Sequence, residues 1–367
     1  MPFAEHELAV VDHVGRLVEF WNFKKQMGRA WCVLYLSTKP LAADEVSAHL
    51  SISAGMTNMT LNALIGWGVV RKVWRPGERR NFYDAETRPW RMISQVLERR
   101  EFQEIDRVVE LLLEVTARFE AEGRTNDFRA RRLGALLELA QQGRQILVDV
   151  LHLSLVRTGP LQSLSVKLAA GYLRKQARKA AGRKGAPEAA REVVEEDEAY
   201  SDDEMAVIDQ IGSLIELWGF GRIMGRIWAS LYLASSPLSS EAIQNRLSIS
   251  SGLANTMVNA LLRWGVVHKV IVPGERRTYY AAETDPWRMI SRVLRQREHR
   301  RIAQAIEVCE DALEHYPKKP TDKEEAFRKR QIERLLDFFR LGRRLLDSVL
   351  EIDEVDIQSL QDYSLKG

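Results

Sequence analysis

The chain is written twice. The string DHVGRLVEFWNFKKQMGRAW, from Asp12, returns as DQIGSLIELWGFGRIMGRIW, from Asp209. The correspondence runs without a gap to Glu101, and roughly half of the aligned positions are identical. A repeat of this length is a whole domain and not a solenoid unit, so whatever one copy folds into, the other should too. The strongest block is GVVRKVWRPGERRNFYDAETRPWRMIS, from Gly68, against GVVHKVIVPGERRTYYAAETDPWRMIS, from Gly265. Beyond Glu101 the match fades, yet Gly143 and Arg144 still answer Gly342 and Arg343, at a spacing two residues longer. The expected organisation is a first repeat over residues 1–157, a linker over 158–203, a second repeat over 204–352 and a tail over 353–367. The linker is basic and alanine-rich at first, then acidic, and reads as a partly helical tether.

Each copy opens with helical periodicity. Val14, Leu17, Val18 and Trp21 recur as Ile211, Leu214, Ile215 and Trp218, on one face of a helix. A second apolar helix ends before Pro40 and Pro237. A short third helix carries Val46 and Leu50, or Ile243 and Leu247. A Ser-Ile-Ser turn follows, in which Ser53 and Ser250 are suited to cap the fourth helix. That helix should stop at Gly68 and Gly265. Two short apolar runs around Pro76-Gly77 and Pro273-Gly274 predict a β-hairpin. Pro89 and Pro286 then open a long helix, reaching about Glu122 and His315, and a second long helix follows in each copy. Three helices closed by a hairpin make a winged helix-turn-helix. The expected class is therefore mostly α with small β-hairpins (α+β), with two tandem winged units, each followed by a helical pair.

Composition narrows the function classes. The chain has 367 residues, 45% apolar and 29% charged, which suits globular domains with sizeable cores. A balance of 54 basic against 51 acidic residues leaves a formal charge of +3, so contact with a polyanion must come from local patches. Cys32 and Cys309 lie in non-matching contexts, which argues against a disulfide scaffold or a cysteine zinc module and fits a reducing cytosol. The opening MPFAEHELAVVDHVG lacks the basic and apolar regions of a signal peptide, and no apolar run approaches the ~20 residues of a membrane span. The seven histidines do not recur between copies, and no nucleotide, hydrolase or metalloprotease motif appears. No catalytic residues, metal or cofactor are expected, and the location should be cytoplasmic.

The string W-x-F-x-x-x-M-G-R-x-W, then L-Y-L, S-I-S-x-G, W-G-V-V-x-K-V, P-G-E-R-R and E-T-x-P-W-R-M-I resembles the GbsR-like branch of the MarR transcription regulators. The resemblance covers residues 10–101 and 207–298. It implies homodimeric winged-helix repressors whose helix after the S-x-S turn enters the DNA major groove. It also implies a wing on the flanking backbone, terminal helices at a dimer interface and, in some members, a response to small ligands. This chain departs by carrying two copies. It departs again in the fourth helix, where the family's usual Lys is Ala54 or Ser251 and its mid-helix Arg is Asn62 or Asn259.

On the fourth helices, Thr57, Leu61 and Leu64 (Ala254, Val258 and Leu261) form an inward stripe. Asn58, Met59 and Asn62, with Asn255, Thr256, Asn259 and Arg263, fall on or beside the opposite face. Asparagine pairs bidentately with adenine and methyl groups contact thymine, so this face suits A·T-leaning readout; the competing reading is a polar helix surface. Arg75, Arg79 and Arg80, and Arg276 and Arg277, cluster on the hairpin tips, where they either contact phosphates or decorate a solvated turn. Trp21, Trp31, Trp218 and Trp228 either pack cores or form an aromatic cage for a quaternary ammonium effector of the choline type, to which some relatives are linked. The expected function is a sequence-specific regulator of double-stranded DNA, a repressor, built as a monomeric covalent pseudo-dimer or as a homodimer of chains. The alternative is an interaction scaffold that keeps the fold and has lost base reading.

Overall fold

The structure, a computed structural model, describes residues 2–154, 199–272 and 275–364. The linker reading therefore falls almost wholly outside the described residues, as does the Pro273-Gly274 turn. The described chain is mostly helical with two small antiparallel sheets, an α+β fold of the winged-helix kind.

The first half runs α1 (Glu5–Phe20), α2 (Lys25–Leu36), β1 (Leu41–Ala42), α3 (Ala43–Leu50), α4 (Ala54–Gly66), β2 (Val70–Val73) and β3 (Phe82–Ala85). It continues with α5 (Pro89–Arg99), α6 (Glu101–Ala121) and α7 (Phe128–Ser154). The second half repeats the order as α8 (Asp202–Leu217), α9 (Arg222–Leu233), β4 (Leu238–Ser239), α10 (Ser240–Leu247), α11 (Ser251–Trp264), β5 (Val267–Val270) and β6 (Tyr279–Ala282). Then come α12 (Pro286–Val293), a π-helical stretch Leu294–His299, α13 (Arg300–Glu314) and α14 (Lys323–Ser364).

Three expectations need correction. The wing sheet has three strands and not two, because β1 and β4, just after the prolines, pair with β3 and β6. The long helix after the wing is interrupted in both halves: Arg100 leaves helical geometry at φ −122°, ψ −69°, and the second half passes through the π-helical stretch. The tail over 353–367 is helical as far as Ser364, since α14 runs on without a break.

These interruptions mark where the chain passes between two compact units. Among the described residues, one unit comprises 2–100, 151–154 and 297–348; the other comprises 101–150, 199–272, 275–296 and 349–364. Both units are thus discontinuous in sequence. Each first-to-wing segment is completed by the helical pair of the other half. In the first unit the buried core joins Val10, Val14 and Leu17 of α1 and Trp31 and Leu34 of α2 to Cys309 and Ala312 of α13 and Ile332, Leu335 and Phe339 of α14. In the second it joins Ile208, Ile211 and Ile227 to Leu112, Val115, Phe119 and Leu133.

Much of the repeated motif serves helix packing. α1 and α2 meet at Gly15 and Gly28, where a Cβ on Gly28 would stand 2.7 Å from the Val14 carbonyl oxygen. Gly212 and Gly225 repeat the contact, with a Cβ on Gly225 at 2.9 Å from Gly212 Cα. The next motif residue clamps the same pair of helices: Arg29 Nε donates to Asp12 at 2.7 Å, and Arg226 Nε faces Asp209 at 2.6 Å.

Candidate nucleic-acid interface

The turn before α4 is tight because Ser51 adopts left-handed geometry, φ 52°, as Ser248 does at φ 53°. The chain reverses in three residues, and the final serine then caps the next helix. Ser53 Oγ accepts from Met56 N–H at 3.2 Å, and Ser250 Oγ accepts from Leu253 N–H at 3.4 Å. The inward stripes pack as the periodicity predicts: Thr57, Leu61 and Leu64 are buried, as are Ala254, Val258 and Leu261. At the far end Gly68 and Gly265 take positive φ and stop the helices. Arg99 of α5 caps the Gly66 carbonyl and Arg292 of α12 caps that of Gly265, tying each helix end to the next element.

This packing fixes which residues face outward. Asn58, Met59 and Asn62 on α4 are exposed, as are Asn255, Thr256, Asn259 and Arg263 on α11. The faces differ in freedom. Asn255 Oδ1 accepts from Ser240 Oγ at 2.8 Å, and Thr256 Oγ1 donates back to the Gly252 carbonyl at 2.8 Å. The side chains of Asn58, Asn62 and Asn259 form no intramolecular hydrogen bond among the described residues. Their amides are available to an external donor–acceptor pair. The first turn of each helix also exposes an apolar side chain, Met56 or Leu253. α4 carries no charged side chain, so the positive end of its own dipole is its principal attraction for an anion.

The wing arginines divide into two kinds. Arg75 is half-buried, with its guanidinium 4.2 Å from the Phe82 ring centroid and Nη2 donating to the Pro40 carbonyl at 3.2 Å. Arg80 bonds Glu78 and Asp44, and Arg277 pairs with Glu241 at 3.3 Å. Asp44 and Glu241 hold equivalent places in α3 and α10, so each short helix supplies a counter-ion to its own wing. Arg79 and Arg276, also equivalent, are exposed and have no ion-pair partner among the described residues. Beside them, Trp74 and Ile271 at the ends of β2 and β5 are 76% and 91% exposed. Sequence reasoning missed both; the signal was an apolar residue at a hairpin position otherwise flanked by charge.

The four tryptophans are not brought to one place. Trp31 is stacked on Tyr35 in the first core, with ring centroids 4.8 Å apart, and Trp228 on Tyr232 in the second, 5.1 Å apart. Trp21 Nε1 donates to Glu298 at 3.2 Å, and Trp218 is exposed at the end of α8. Helix packing accounts for the spacing that suggested a cage. The two cysteines, expected in separate contexts, share the first core as free thiols, and burial pushes the Cys309 thiol up to about 12. Among the described residues no group of three His, Cys, Asp or Glu side chains could hold a metal ion, and no helix is long and apolar enough to cross a membrane.

No protein-family model matches the chain. It is 32% identical over 79 residues to the HTH-type transcriptional regulator MmpR5 of Mycobacterium tuberculosis, across 21% of this chain and 48% of that protein. The chain thus spans about half the length of that curated relative. A crystal structure of a transcriptional regulator, 22% identical, aligns over 41% of this chain and 96% of its own, with a TM-score of 0.32.

Proposed function

We propose that the chain is a cytoplasmic transcription regulator, a repressor, that binds double-stranded DNA in a sequence-specific way. Its likeness over 79 residues to an HTH-type regulator supports that class. The observation that carries the finer reading is the outward face of α4, where Asn58 and Asn62 keep their side-chain amides free on a serine-capped helix, in a unit whose wing carries an unpaired arginine. Asn62 and Asn259 are the adenine readers in this proposal, and Arg79 and Arg276 hold the flanking phosphates. The two halves act as tandem winged helix-turn-helix domains of the GbsR-like MarR type, joined as a covalent pseudo-dimer. Because Met59 is replaced by Thr256 and Gly66 by Arg263, the operator has unequal half-sites.

Selection of bound sequences from a random duplex pool tests this directly. Enrichment of an asymmetric, A·T-leaning site is expected. Asn62→Ala combined with Asn259→Ala should cost about 1–3 kcal/mol for each bidentate pair removed at that site and little on random DNA. Absence of enrichment, together with no affinity at low salt, would transfer the chain to the second reading, an interaction scaffold. The exposed Met56, Met59, Leu253, Trp74 and Ile271 favour that alternative, since apolar side chains on a presented surface suit a protein partner.

A further inference from the structure

In the first unit, α1 and α13 leave between them a groove of about 380 Å³. α1 lines it with His13 and Arg16 and α13 with Arg301, while Leu17 and Val308 supply apolar lining. Gln304 and Glu307 complete it. Neither arginine has an ion-pair partner among the described residues; Arg301 lies over the Phe20 ring, 4.7 Å from its centroid. Burial, and then the two guanidiniums, hold His13 below its ordinary pKa.

The second unit shows what such a site lacks. The spacing that relates Asp12 to Asp209 also relates Leu112 to Cys309, Val115 to Ala312 and Phe119 to Tyr316, all buried. By that spacing Arg301 corresponds to Glu104, His13 to Gln210 and Gln304 to Arg107. In the second unit Glu104 is a largely buried carboxylate, accepting from Gln210 Nε2 at 2.7 Å and from Arg107 Nη1 at 2.8 Å. That unit provides its own anion between the two helices. The first unit replaces the anion with a cation and leaves space.

We propose that the α1–α13 groove of the first unit binds a small organic carboxylate, seated between Arg16 and Arg301, with an apolar body along Leu17 and Val308. Two guanidiniums against one lining carboxylate, Glu307, leave a single positive charge for the ligand, which suits a monoanion better than a phosphate dianion. The volume exceeds what an inorganic ion fills, and the apolar walls reward a hydrocarbon tail. The site exists in one unit only, so the stoichiometry is one per chain. It shares no residue with the reading faces and does not depend on the chain binding DNA.

The probe is hexanoate, titrated into the full chain at fixed ionic strength with chloride as the balancing anion, and followed by calorimetry and by the His13 imidazole resonances. Saturation with one site per chain is expected, with a dissociation constant on the order of 1 mM. The His13 pKa should rise as the bound anion offsets the arginines. Arg301→Glu, which installs the second unit's own residue, should abolish binding, and Arg16→Ser, the residue found at position 213, should weaken it at least about 10-fold. Arg16 is exposed, so that variant keeps the test if Arg301→Glu fails to fold. Titration without saturation, undiminished binding by the variants, or inorganic phosphate binding as tightly as hexanoate would each overturn the assignment.

Discussion

Arg328 and Glu7, near opposite ends of the chain, form an ion pair that solvent hardly reaches. Nη1 stands 2.9 Å from Oε2, and the two side chains retain only 10% and 4% exposure. Tyr316 donates its hydroxyl to the other oxygen of Glu7 at 2.5 Å. Glu7 also accepts from the Ala4 N–H and so caps α1 while it holds α14. The second unit repeats the device, with Arg129 Nη1 3.0 Å from Glu204 Oε2 and Ser201 in the capping position. Each pair fastens the first helix of one half to the last helix of the other.

Breaking such a pair strands a buried charge. Arg328→Ala should therefore cost about 3–5 kcal/mol, and Arg129→Ala a similar amount. Urea denaturation followed by hydrogen exchange checks this: Arg328→Ala should loosen the core around Ile332 and Leu335 first, and Arg129→Ala the core around Leu133. A stability change under about 1 kcal/mol in both would show that the pairs do not secure the helices.

Gly28→Ala should destabilise by about 1–3 kcal/mol, because the obstacle 2.7 Å away is a backbone carbonyl that has no rotamer to change. Gly55, on the exposed face of α4, has nothing within 4 Å of the same added atom. Gly55→Ala should stabilise the helix by up to about 1 kcal/mol. Thermal unfolding of the two variants side by side distinguishes a packing glycine from a tolerant one.

Acid should weaken the first unit selectively. His6 stacks on His315, with ring centroids 5.1 Å apart, where the second unit has the ion pair Arg118–Asp203. Burial, chiefly, and His315 hold His6 below its ordinary value of 6.5; Glu7 and Glu325 oppose the shift. His13 and His49 are also depressed by burial. A folded state that binds protons less readily than the unfolded chain loses stability as pH falls from about 6.5 toward the lowered folded values, and keeps it above that window. Denaturation midpoints between pH 7 and pH 5 should fall for exchange-protected amides of the first core and hold for those of the second. The double variant His6→Asp, His315→Arg should flatten the difference.

The wing arginines should separate by their partners. Arg79→Ala and Arg276→Ala together should lower affinity for duplex DNA and make the salt slope shallower by about 0.9 for each phosphate no longer neutralised. Arg80→Ala with Arg277→Ala should change the slope much less, since Asp44 and Glu241 already engage those side chains. Equal slopes for the two double variants would remove the distinction.

Local features are the most legible in the sequence. The serine caps, the inward stripes of α4 and α11, the glycine stops and the hairpins rest on neighbours a few residues apart, and residue chemistry dictates them there. Strands β1 and β4 escape because two residues carry no period; their pairing with Phe82–Tyr83 and Tyr279–Tyr280 defines them. Wing charge alone does not reveal the partners of Arg75, Arg80 and Arg277, since Pro40, Asp44 and Glu241 lie some 35 residues earlier in the chain. The tryptophan spacing is helical, as expected, but spacing alone does not show that Trp31 and Trp228 face inward onto tyrosines. The exchange of helical pairs is invisible for a simple reason. In a repeated sequence either copy of α6–α7 or α13–α14 offers the same apolar stripe, so the pattern alone does not choose between them.

That exchange bears on how the protein is made. The first hundred residues leave the ribosome well before residues 297–348, which complete their core. At ~5–20 residues per second the interval is about 10–40 s. Throughout synthesis the nascent amino-terminal segment carries an unsealed apolar surface, while the downstream portion can already close around α6 and α7. A message truncated after residue 296 would supply most of one body and leave the other without the helices that no length of waiting could provide.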